Sequence, residues 1–186
     1  MIKQLFIVGA MMLAAGTTSA QIFTAKQGGT NISFFSEAPL ENIEAVNKSG
    51  SIVLNGRTGD FQLKISIINF KFKSALMEEH FNENYMETEK FPYSTFKGKF
   101  NEDVSNLPEG DNKVTITGKL EIHGVIKDVT ISGVITKKGD LLTLKAKFKV
   151  LLSDYKIQVP SMYVKNIAET VDITFETVLE PHKKKD

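Results

Sequence analysis

The chain has 186 residues, 23 Lys and Arg against 22 Asp and Glu, and no Cys. The near-neutral balance excludes the basic face that nucleic-acid binding requires. Without Cys, the fold must be held by burial rather than by disulfides, and the length suits one domain with a sizeable core.

Residues 1–20 read as an export signal. Lys3 supplies the positive start, and the apolar run over 5–15 is too short to span a bilayer. Thr18, Ser19 and Ala20 are the small residues that favour cleavage after Ala20, and no Cys follows to carry a lipid. The expected mature chain, 21–186, is a single periplasmic or secreted domain. Removing Lys3 leaves 22 basic and 22 acidic residues. No later apolar run approaches the length of a membrane helix, so no stable membrane insertion is expected.

Alternation of apolar and polar residues, bounded by Gly, Asn and Asp, marks the strands. Residues 22–26 and 31–36 predict two short strands separated by a turn at Gly28 and Gly29, with Pro39 ending the second. Residues 43–47 and 51–54 flank Lys48, Ser49 and Gly50, and Asn55-Gly56 marks the next turn. Residues 61–72 predict one long strand whose alternation slips at Ile67 and Ile68. A bulge there would return Phe70 and Phe72 to the face of Phe61, Leu63 and Ile65.

One helix interrupts this pattern. Ser74 can cap it, and Met77, Phe81 and Tyr85 recur at helical spacing until Pro92 forbids continuation. Strand signal resumes at Tyr93, with Phe96, Gly98 and Phe100 on one side. The stretch 70–100 holds six of the chain's 13 Phe.

The second half alternates more cleanly. The strands 114–122, 129–135, 142–152 and 167–179 each carry one apolar face, and the last places Ile167, Val171, Ile173, Phe175 and Leu179 together. About eight antiparallel strands and one short helix predict an all-β chain closed as an up-and-down barrel, with a two-sheet sandwich as the alternative. A barrel spanning an outer membrane would need the apolar face outside.

Gly139-Asp140 predicts a two-residue hairpin turn, which pairs Lys138 with Leu141 and Gly133 with Ala146. The hairpin at His123-Gly124 places Gly133 opposite Gly118 or Ile116. Gly118, Gly133 and Ala146 then form a strip poor in side-chain volume. Eight strands lie at the size where a barrel either fills or admits one ligand, and such a strip favours a cavity; bends are the other reason for glycine there.

The segments FKSALMEEHF (72–81), KFPYSTFKG (90–98) and GKLEIHGVIKDV (118–129) together resemble the YceI-like family. The Ser-Asp-Tyr-Lys-Ile segment (153–157) stands where that family has an Asp-aromatic pair. Many members carry an Arg shortly before that pair; here Val150, Leu151, Leu152 and Ser153 occupy the region. The resemblance covers nearly all of 21–186. It implies an exported, lipocalin-like barrel that binds a long isoprenoid or other amphiphilic lipid.

For such a ligand the candidate walls are Phe70, Phe72, Met77, Phe81, Phe96, Ile116, Leu120, Phe148 and Phe175, with Gly118, Gly133 and Ala146 leaving space. His80, Asn84 and Tyr155 are the candidate polar groups at the mouth. Each also has a structural reading: His80 closing the barrel end, the helical stripe as core, and Tyr155 in a surface turn. His123 is expected to stabilise its hairpin. No nucleophile motif, phosphate loop or closely spaced ligand set occurs, so the expectation is a binding protein without metal or cofactor. His80 with Asp154 is the one catalytic pairing available, and a filled barrel presenting loops is the other alternative. The ligand's identity and the oligomeric state, a dimer included, stay open.

Overall fold

The computed structural model describes residues 21–37, 42–159 and 168–182. Residues 1–20, expected as an export signal, and Pro39, Pro160, Ile167 and the lysines from Lys183 lie outside them. Among the described residues ten strands form one antiparallel sheet: β1 (Ile22–Ser36), β2 (Ile43–Asn47), β3 (Ser51–Asn55), β4 (Asp60–Ser66), β5 (Lys71–Phe72), β6 (Tyr93–Phe100), β7 (Gly110–Ile122), β8 (Val125–Lys138), β9 (Leu141–Leu151) and β10 (Thr170–Pro181). Their order is β10-β9-β8-β7-β6-β4-β3-β1-β2-β5, and pairing of β10 with β1 closes the ring. β3 and β2 lie end to end along β1, and β4 and β5 follow them in the same way, so the wall is an eight-stranded closed barrel.

Apolar side chains alternate inward and charged ones outward, as the second-half pattern predicts. Leu142, Leu144, Ala146 and Val150 of β9 are buried. The outward Lys145 and Lys149 meet Glu176 and Asp172 of β10 at 3.1 and 2.8 Å. These exposed pairs contribute little energy, but they keep the outer face wet. Among the described residues no helix is long and apolar enough to cross a membrane.

The seam between β1 and β10 is fastened inside. Thr30 Oγ1 lies 3.0 Å from Thr177 Oγ1, and both residues are buried. Gly28 takes φ +70°, and the register shifts between Ala25 and Thr30. The expected turn at Gly28-Gly29 is therefore a bulge inside one continuous strand, because β10 continues to pair on either side of it.

The expected long strand over 61–72 is also corrected. A 3₁₀ turn at Ile67–Asn69 divides it into β4 and β5. Buried Asn47 holds the split: its Nδ2 donates to the Ser66 carbonyl at 2.9 Å and its Oδ1 accepts from the Ser49 amide at 2.9 Å. The turn restores Phe70 and Phe72 to the interior and leaves Ile68 exposed.

α1 (Ala75–His80) follows β5 and runs into a π-helical turn over Phe81–Tyr85. Ser74 occupies the N-cap position, but its side chain makes no capping bond; its carbonyl accepts from the Glu78 amide at 3.1 Å. The π turn, closed by the Met86 amide on the Phe81 carbonyl at 2.9 Å, brings Phe81, Tyr85 and Met86 all to the interior. Lys71 Nζ pairs with Glu78 Oε1 at 2.6 Å and joins α1 to β5. Lys71 is also the first cause, through hydrogen bonding, of the lowered Glu78 pKa.

Candidate functional site

The barrel is packed solid at one end and hollow at the other. At the closed end Phe23, Leu54, Val114, Ile135, Leu142 and Leu179 are buried against one another. Above them Phe61 gathers three rings, with centroids 6.1 Å to Phe96, 5.9 Å to Phe100 and 6.4 Å to Phe175. Phe61, Phe96 and Phe175 form the floor of a cavity of about 550 Å³. Ile116, Leu120, Ile131, Leu144 and Ala146 wall it on the strands.

A second aromatic cluster narrows the upper end. Phe81 packs against Phe34, Phe70 and Phe72, with centroids at 5.4, 5.7 and 4.9 Å. Leu76, Met77 and His80 of α1 complete that end. At the same end β5 has a partner on one side only, and residues of α1 join the lining there. Offset and tilted rings at these separations cohere through dispersion and their quadrupoles while presenting only carbon and hydrogen to the cavity.

Eleven of the fifteen expected site residues line this cavity: Phe70, Phe72, Met77, His80, Phe81, Phe96, Ile116, Leu120, Ala146, Phe148 and Phe175. Asn84 instead points to solvent from the π turn. Tyr155 is buried outside the cavity, and burial, then the charge of Asp154, raises its phenol pKa.

The two glycines are corrected for a physical reason. Gly133 does pair with Ala146, as the Gly139-Asp140 turn predicts. Across β7, however, it faces Val114, while Gly118 faces Gly98 on β6 and Val129 on β8. A Cβ at Gly118 would sit 2.4 Å from the Gly98 Cα and 2.4 Å from the Lys97 carbonyl oxygen. A Cβ at Gly133 would meet the Lys145 carbonyl oxygen at 2.7 Å. These glycines permit close approach of neighbouring backbones; neither lines the cavity. Of the proposed strip only Ala146 opens into the space.

Several lining residues were not singled out from sequence. Val171 and Ile173 share the inward face of β10 with Phe175, as the alternation indicates, though only Phe175 is among the expected walls. Phe34 was legible as strand, but its place against Phe81 depends on how α1 returns over the barrel.

The polar side chains at the cavity are few: Ser36, Ser74, His80, Tyr85 and Ser94. Ser36 Oγ already accepts from the Ala168 amide at 2.9 Å. His80 is half-buried, and among the described residues no group bonds its imidazole. Asp154 is elsewhere, 3.4 Å from Lys127 Nζ, so His80 and Asp154 do not form a pair at the cavity.

His123 takes φ +51° and Gly124 φ +70° in a two-residue turn between Ile122 and Val125, the geometry of a type I′ hairpin. The ring does more than stabilise the turn. It reaches the Glu87 carboxylate and the Tyr155 carbonyl, and it packs on Phe91 at 4.5 Å. It does not meet His80, and no cluster of three or more metal-ligating side chains occurs among the described residues.

These features agree with what known proteins share with the chain. A polyisoprenoid binding domain from Saccharophagus degradans superposes with a TM-score of 0.75 at 16% identity, covering 88% of this chain and 100% of its own. BcnA of Burkholderia cenocepacia gives 0.69 at 19%, covering 83% and 98%. A YCEI protein of Campylobacter jejuni gives 0.58 at 15%, covering 98% and 100%. At such identities the likeness is one of fold. No curated protein matches the chain. The model of the YceI-like domain matches residues 19–179, and the chain belongs to that family.

Proposed function

We propose that this protein binds the tail of an amphiphilic lipid, of isoprenoid or similar long-chain type, inside the barrel and carries or sequesters it in the cell envelope. The observation that carries the reading is the apolar cavity of about 550 Å³ with one unengaged imidazole among its lining residues. Each methylene moved from water into such a space contributes roughly 0.8 kcal/mol, while ordering the chain and withdrawing it from a membrane offset much of that gain. Binding a polyisoprenoid is what the Saccharophagus domain is described as doing.

His80 is the group we assign to the lipid's polar end, as a donor or acceptor at the mouth. We read the protein as a binder, since His80 and Asp154, the one catalytic pairing the sequence offers, lie apart. Residues 1–20 would direct export and be removed near Ala20, placing the barrel in the periplasm or outside the cell. Among the exposed large apolar residues, Phe35, Ile68, Leu76, Tyr93, Ile126 and Leu151 belong to the mouth end of their elements, while Val53 lies mid-strand on β3. That distribution suits brief contact with a lipid surface during uptake.

The test is binding of a fluorescent prenyl alcohol to delipidated protein. Saturable uptake that weakens severalfold in His80→Ala supports the reading. Uptake indistinguishable from that of an unrelated β protein refutes it.

A further inference from the structure

Resting on that reading, we infer that Phe61 and the rings around it act as a stop that fixes how much of the lipid tail the barrel takes in. The ligand class this selects is a single-tailed amphiphile with about 18 buried carbons, because a methylene occupies about the space of one water, whose share of liquid volume is roughly 30 Å³. A polyprenyl chain of several tens of carbons would leave most of its length outside.

The stop is built, not incidental. Phe61 is 2% exposed and touches Phe96 and Phe100 of β6 and Phe175 of β10. Behind it the closed end of the barrel is filled with buried aliphatic side chains, so the tail has no path onward. Gly98 helps to seat the plug: a Cβ there would come within 2.6 Å of the Phe96 ring. Ala146, paired with Phe175 across β9 and β10, leaves the last open space in front of it.

The experiment uses the mature chain, freed of bound lipid, and a series of straight-chain fatty acids from about 8 to about 28 carbons, each displacing a bound fluorescent naphthalene probe. Affinity should rise by about fourfold per methylene and then level off near about 18 carbons. In Phe61→Ala the plateau should begin about three carbons later, and in Ala146→Leu about three carbons earlier. If Phe61→Ala does not fold, Ala146→Leu decides alone. Affinity that climbs through the longest acid, or a plateau unmoved in every folded variant, overturns the stop. Failure of every chain length to displace the probe overturns the lipid-binding reading itself.

Discussion

His123 Nε2 lies 3.1 Å from Glu87 Oε2, while its Nδ1 lies 3.2 Å from the Tyr155 carbonyl oxygen. One ring thus fastens the turn that follows the helix to the β7–β8 hairpin and to the 3₁₀ turn over Leu152–Tyr155 that follows β9. Lys71 with Glu78 holds the other end of the same helical cover. Replacing His123 with Asn keeps a residue that tolerates the positive φ but removes the tie. It should cost about 1–3 kcal/mol in urea unfolding. A double-mutant cycle with Glu87→Gln should show strong non-additivity.

The same tie has a pH dependence. Glu87 titrates below its ordinary range, chiefly because Lys90 bonds its carboxylate and next because His123 does. A depressed acid contributes stability that is complete above its unfolded pKa and lost as the pH falls through the folded one. The stability difference between the native chain and Glu87→Gln should therefore be flat above about pH 5 and shrink below about pH 4. Urea midpoints along a pH series measure it; a difference that grows with acidity would contradict the assignment.

Gly118→Ala should destabilise the barrel by about 1–3 kcal/mol, because the new methyl has only backbone to meet. Gly133→Leu should unfold or weaken the barrel rather than selectively block uptake. Chemical denaturation with parallel circular dichroism separates loss of fold from loss of binding.

Thr177→Val should cost about 1–2 kcal/mol, since the Thr30 hydroxyl then loses its partner within the β1–β10 seam. Thr30→Val with Thr177→Val together should recover part of that loss, because neither hydroxyl is left buried alone. Thermal unfolding of the single and double variants tests it.

Sequence reading went furthest where one face of a strand is apolar over many residues. β7 to β10 were legible from alternation, and the pairing of Gly133 with Ala146 followed from the tight turn at Gly139. It failed where two local solutions fit equally well. Gly28 and Gly29 suit a turn as readily as a bulge, and only the continuous partner β10 decides between them. Ile67 and Ile68 signal a slipped strand, but the 3₁₀ turn depends on Asn47, twenty residues earlier, reaching Ser66. The aromatic lining was visible because large apolar residues on an inward face must border whatever fills the barrel. The roles of Gly118, Tyr155 and His123 were hidden, since each depends on a neighbour distant in sequence.

Mass spectrometry of an organic extract from protein purified in native form from its own host reads the contents of the cavity. One dominant single-tailed amphiphile, near one per protein, should be recovered, with a shorter tail in an Ala146→Phe variant whose cavity is narrowed. An extract with no lipid above the background of an unrelated protein purified in the same way would refute lipid carriage.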